Sequence, residues 1–306
     1  MTRQLRTIAV FGLTAVAALA QPTPGYAQAY PARQVTILVP FPPGGGTDIG
    51  ARIVGQKLAE RWGKPVVIEN KPGAAGNIGL DTAAKAAPDG HTLLVGNIGT
   101  QAINPSLYKS LPFNPDTAFA PIGLIADLPL ALVATADLPA KSLAELFALA
   151  KAKPGEITYG SSGAGGMPHL AAAMMESDAG LKLMHVPYKG GGPMMQDVIG
   201  GHIKVAFATV LEASGHIRSG KVKAIAVSSG DRSQAMPDLP TIAESGLAGY
   251  NSSSWIGLFA PGATPKEIVE KIGVDLRWVL DQPDVRDKFS QQGANPSAAA
   301  HRTPAG

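Results

Sequence analysis

Phe41-Pro42-Pro43-Gly44-Gly45-Gly46-Thr47-Asp48 joins a stretch of strand character to one of helix character, and this junction decides the fold class. Upstream, residues 34–40 alternate Val35, Ile37 and Val39, with Leu38 also apolar, as in a mostly buried strand. Two prolines and three glycines end it. Downstream, Ile49, Ile53, Val54, Leu58 and Trp62 recur at helical spacing until Gly63 and Pro65 stop the helix. Thr47 or Asp48 is the expected N-cap, because each side chain carries an oxygen that can accept from the orphan amides of the first turn. In open α/β sheets, ligands bind beyond the carboxyl ends of strands. A helix N-terminus there offers unpaired amides and a positive dipole end, which suits an anion, and glycines let the backbone come close. The competing reading is a tight turn that binds nothing.

Working outward, the same alternation continues. Residues 66–68, 92–95, 157–159, 183–186, 203–207 and 222–227 read as strands. Helices are expected after Ser142-Leu143-Ala144-Glu145, Thr241-Ile242-Ala243-Glu244 and Thr264-Pro265-Lys266-Glu267, each a capping box. Another is expected over residues 193–199. Strands spaced by helices imply βαβ units and a largely parallel sheet. At 306 residues the chain has length for about two domains, so two α/β lobes are expected.

Two more strand ends carry glycines. Ser161-Ser162-Gly163-Ala164-Gly165-Gly166 precedes a helix opened by Pro168, and Tyr188-Lys189-Gly190-Gly191-Gly192 follows a strand. Lys189 either faces an anionic ligand or is solvated. Neither loop is a dinucleotide fingerprint or a magnesium-holding phosphate loop, and Gly215–Lys221, the nearest approach to the latter, ends on Val222. The nucleophile elbow G-x-S-x-G fails at Ala164. Ser162 with His169 is the one serine–histidine pairing to weigh, as nucleophile and base of a secreted hydrolase, and a packing role for His169 competes with it. His91, His185, His202 and His216 lack metal-ligand spacing, so neither a metal nor another cofactor is expected. Three glycine-bearing strand ends in two lobes suggest a cleft closing on a small anion from both sides.

Composition agrees. Glycine and proline supply 36 and 26 residues, yet 45% of the chain is hydrophobic and 16% charged, so core material is cut into short elements and disorder is excluded. Cysteine is absent, which removes disulfides and thiolate chemistry. Arg3 and Arg6, an apolar run over residues 8–20 and Ala27-Gln28-Ala29 read as a secretory signal over residues 1–29, cleaved after Ala27 or Ala29. Its removal takes Lys+Arg from 26 to 24 against 23 acids, so nucleic-acid binding is not expected.

The ordered motifs also match a known family. The chain resembles the substrate-binding receptors of tripartite tricarboxylate transporters, the Bordetella uptake gene (Bug) family, over about residues 30–295. The match runs through Tyr30-Pro31 and residues 41–48, 69–79, 88–94 and 103–108, then 161–170, 186–190 and 239–246, and ends on Ser254-Trp255-Ile256-Gly257-Leu258 and Ala260-Pro261. The resemblance implies a periplasmic, monomeric, non-enzymatic receptor of the type II periplasmic binding protein fold, with two α/β lobes, a hinge and an interlobe cleft. Residues 30–129 with 251–306 would form lobe 1 and residues 130–250 lobe 2. The lobes would close on a small carboxylate and present it to transporter membrane subunits; a sensory role is the alternative. Carried over, the first-lobe contacts are Phe41, Gly45, Gly46, Thr47 and Asp48, with Thr100 nearby. Those of the second lobe are Ser161, Ser162, Gly163 and Gly166, with His169, Tyr188 and Thr209. Two departures stand out. Ala208 takes a place where the family usually has an aspartate, which disfavours an amino acid and favours an apolar or aromatic carboxylate. Family members also usually continue for another helix beyond the counterpart of Gly293, whereas residues 298–306 carry no helical pattern.

Overall fold

The computed structural model describes residues 30–297; residues 1–29, where a secretory signal is expected, and residues 298–306 lie outside them. The chain opens β1 (Val35–Val39), α1 (Gly46–Trp62), β2 (Val66–Asn70), α2 (Asn77–Ala84) and β3 (Thr92–Asn97). After the short α3 (Asn104–Leu107) comes β4 (Phe119–Thr135), a 17-residue strand. Then follow α4 (Leu143–Ala152), β5 (Thr158–Ser161), α5 (Met167–Ala179), β6 (Met184–Pro187), α6 (Gly191–Ile199), β7 (Val205–Thr209), α7 (Val210–Arg218) and β8 (Val222–Val227). The chain returns through β9 (Ser253–Pro261), α8 (Lys266–Asp281), α9 (Pro283–Gln291) and β10 (Asn295–Pro296).

The sheet order is β2-β1-β3-β9-β4-β7-β5-β6, with β8 and β10 also on β4. The units β1–β2, β1–β3, β5–β6 and β5–β7 are parallel, as the alternation implies. The middle is not. β4 runs antiparallel to β9 over residues 119–129, then antiparallel to β7 and β8 over residues 130–135. The sheet is therefore mixed, which corrects the largely parallel expectation. Both long strands escaped the periodicity reading because they are apolar nearly throughout, as strands buried on both faces are. One strand changing partners midway joins two half-sheets, each with helices on its faces.

The core follows this division. One cluster joins β1, β3, β9 and the first part of β4 to α1, α8 and α9, with Phe289 and Leu276 fully buried. Two others sandwich the second half-sheet, one under α4 and α5, the other under α6 and α7. Helix α8 shows why the pattern works. Val269, Ile272, Leu276, Val279 and Leu280 bury one face, and full burial of each such side chain contributes about 1.5–3 kcal/mol. Asp275 is buried on the same helix because Arg61, Trp62 Nε1 and Lys271 all donate to it.

Several expected caps are displaced. Helix α1 starts after Gly45 with no side-chain cap of its own. At Ser142 the hydroxyl accepts from Glu145 N, but Glu145 returns to Lys141 N instead of Ser142 N. Thr241 and Glu244 do exchange both bonds, yet they close a turn and no helix follows. Helix α8 is entered through Pro265, and Thr264 Oγ1 is buried without a partner among the described residues. A complete capping box does open α7, from Thr209 and Glu212.

Candidate functional site

The sequence sets a glycine loop at the end of β1, and one carboxylate fixes its shape. Asp48 Oδ2 accepts from Gly44 N at 3.0 Å and Arg52 Nε at 2.9 Å. Its Oδ1 accepts from Asn70 Nδ2 at 2.9 Å, and that same amide group donates to Phe41 O. Burial alone would raise the Asp48 pKa, but the bonds from Arg52, Gly44 and Asn70 outweigh it and hold the carboxyl below its usual range. Asp48 thus ties both ends of the loop and does not line the cleft.

The loop after β5 is held by two imidazoles. Ser161 Oγ lies 3.1 Å from Gly163 O and is hydrogen-bonded to His185 Nε2 at 2.7 Å. His169 Nδ1 accepts from Gly165 N at 3.0 Å. The rings of His169 and His185 stack at 4.1 Å, with Tyr159 beyond. Burial lowers both histidine pKa values, that of His185 to about 4, so both rings are neutral at neutral pH. Ser162 and His169 are not paired, which removes the geometric basis for the hydrolase alternative. Ser161 is fully buried.

Between the half-sheets lies an open cleft of about 680 Å³, counting the space at its mouth. From the first half it is lined by Phe41, Gly45, Gly46, Thr47 and Ala75, by Asn97, Ile98, Gly99 and Asn104, and by Leu128 and Ser254. The second half adds Leu130, Ser162, Gly163, Gly166, Met167, Pro168, Gly191, Thr209 and Glu212. The starts of α1, α5 and α6 therefore converge on one space, each bringing first-turn amides that have no intrahelical partner. Among the described residues the lining holds no Lys, Arg or His, and Lys189 is exposed away from it.

The sequence candidates divide accordingly. Phe41, Gly45, Gly46, Thr47, Ser162, Gly163, Gly166 and Thr209 meet in the cleft. Asp48, Thr100, Ser161, His169 and Tyr188 stand behind it. Thr100 locks the turn after β3 through Asn97, and Tyr188 donates to Asp197 at 2.5 Å. Ala208 is buried opposite Ala131 in the sheet, so the cleft position at this strand end is that of Thr209. Among the described residues no group of His, Asp or Glu is placed to hold a metal ion.

Glu212 was not anticipated. Its Oε2 accepts from Gly46 N at 2.8 Å and its Oε1 from Thr209 N at 3.0 Å. A carboxylate 166 residues away thus caps α1 in place of Thr47 or Asp48. Gly46 is required here, because a Cβ would collide with the Thr209 hydroxyl. The signal available in the sequence was Thr209-Val210-Leu211-Glu212, a capping-box spacing.

With this geometry in place, three comparisons bear on the chain. The sequence pattern of the tripartite tricarboxylate transporter family receptor matches residues 50–303. Protein BugT of Bordetella pertussis is 37% identical over 98% of this chain and 91% of its own length. Two solved structures superpose closely, each 34% identical and covering 90% of this chain. R. palustris Rpa4515 with adipate gives a TM-score of 0.87 over 91% of that protein, and MatC from Rhodopseudomonas palustris with bound malate gives 0.85 over 94%.

Proposed function

The chain belongs to the tripartite tricarboxylate transporter receptor family, a family of periplasmic solute-binding receptors, and we propose that it captures a small organic carboxylate and delivers it to transporter membrane subunits. The observation that carries this reading is the convergence of three helix starts on a cleft whose described lining holds no cationic side chain. Amides and hydroxyls there, foremost Thr47, Ser162 and Gly163, supply the charge complement that a lysine or arginine supplies elsewhere. Each hydrogen bond to a charged group contributes roughly 1.5–3 kcal/mol. Several, less desolvation and closure costs, reach micromolar affinity, about −8 kcal/mol. Leu128, Leu130, Met167 and Ile98 offer the rest of the ligand an apolar wall. Neighbours holding adipate and malate support the carboxylate class.

The lobes of this reading are residues 30–129 with 251–306, and residues 130–250, hinged where β4 changes partners and where the chain enters β9. A monomeric receptor is part of this reading. An extracytoplasmic location accompanies the family, and cleavage after Ala27 or Ala29 would produce the mature chain. Calorimetric titration with mono- and dicarboxylates tests the reading: at least one binds at micromolar concentration, and silence across the series at millimolar concentration would sink it.

A further inference from the structure

Glu212 is a titratable group inside the cleft that carboxylate capture leaves unused. It is 8% exposed and is the one ionisable side chain among those lining the cleft in the described residues. Its carboxyl sits among the starts of α1, α6 and α7, bonded to Gly46 N and Thr209 N and so close to Gly191 that a Cβ there would collide with it. A ligand anion held at the start of α1, beside Thr47, would share the cleft with this carboxyl, which already occupies the amide of the neighbouring Gly46. Two carboxylates in such a space do not both stay ionised, and one takes up a proton. Resting on the carboxylate reading above, we propose that the cleft binds its ligand together with one proton, and that Glu212 holds that proton.

The surroundings leave this role to Glu212. On α1, Asp48 and Arg52 are engaged with each other and with Asn70, Lys57 with Glu60 and Asp284, and Arg61 with Asp275. On α6, Asp197 accepts from Tyr188. On α7 itself, His216 and Arg218 stand at the far end, Arg218 donating to Gln291 O. Asp127 of β4 lies in the part of the strand paired with β9 and β10, and Lys223 of β8 donates to Leu138 O. β7 carries no charge. Burial, against the lowering pull of its hydrogen bonds, already raises the Glu212 pKa to about 7, and a neighbouring carboxylate raises it further. Above about pH 7 the empty receptor holds Glu212 ionised, so binding must draw a proton from solvent and affinity falls as pH rises. By linkage, low pH favours the ligand as much as the ligand favours the proton. The shifted histidines titrate below this window.

Calorimetric titrations of the periplasmically purified protein with adipate, malate and hexanoate, in buffers of different ionisation enthalpy at about pH 8, count the protons taken up. The expected result is close to one proton per carboxylate bound, with affinity weakening up to about tenfold per unit from about pH 7 to about pH 9. Glu212→Gln should take up none and show an affinity flat across that range. Binding without proton uptake, or an unchanged pH profile in Glu212→Gln, overturns the inference and leaves the carboxylate reading standing. Absence of binding by all three probes overturns both. The uptake count uses the unsubstituted protein, so misfolding of the variant does not blunt the test.

Discussion

At Asp48 a single side chain decides whether the first glycine loop has a shape. It collects donors from Gly44, Arg52 and Asn70 while almost fully buried. Asp48→Ala removes three hydrogen bonds at once and leaves the Asn70 amide and the Gly44 N–H without that acceptor. We expect a loss of about 2 kcal/mol in denaturant unfolding, discounted because Arg52 is half exposed, and a larger loss in carboxylate affinity. The pH sign follows from the lowered pKa. The ionised carboxyl stabilises the fold above the unfolded value near pH 4, and this is lost as pH falls through the folded value, below about pH 4. An acid unfolding midpoint that Asp48→Ala leaves unmoved would contradict this. At this scale the sequence was partly legible. It marked the glycine loop after β1 as part of a cleft, which Gly45, Gly46 and Thr47 line, but not that the Asp48 side chain holds the loop together. It also missed Glu212, because a cap supplied from 166 residues away leaves no local trace in the α1 sequence.

Among the elements, α1 and α8 are joined by the polar cluster at Asp275. Arg61 and Trp62 in the last turn of α1 and Lys271 one turn earlier on α8 all donate to this fully buried carboxyl. Burial would raise its pKa, but Lys271, Trp62 and Arg61 together hold it low. Asp275→Ala should cost about 2–3 kcal/mol, less than the loss of a fully sequestered pair because Arg61 and Lys271 reach water. A fall in Tm with unchanged carboxylate affinity is the expected result, since the cluster lies away from the cleft. Equal Tm values would show that solvent replaces the lost acceptor. Element existence was readable for the parallel units, whose strands are short and bounded by glycine and proline. The two central strands were not, because their uniform apolarity erases the alternation that marks a strand with one wet face.

Over the whole molecule, the two half-sheets share β4, and the cleft opens between them. Closure about that strand and the chain entering β9 would bring the loops after β1 and β5 together on the ligand. Small-angle scattering should then report a smaller radius of gyration with saturating carboxylate than without, whereas identical profiles would place binding in a preformed, rigid cleft. The fold class followed from local strand–loop–helix units and the family resemblance, while the placement of Thr209 and Glu212 against Gly46 needed the folded chain. The central claim is that the ligand carboxylate is held by the converging helix starts. A crystal structure with the tightest-binding carboxylate measures this directly. The account predicts carboxylate oxygens at about 3 Å from the amides or hydroxyls of Thr47, Ser162 and Gly163, with the ligand body against Leu128 and Leu130. A carboxylate turned toward that apolar wall, paired with Lys189, or bound outside the cleft would contradict it.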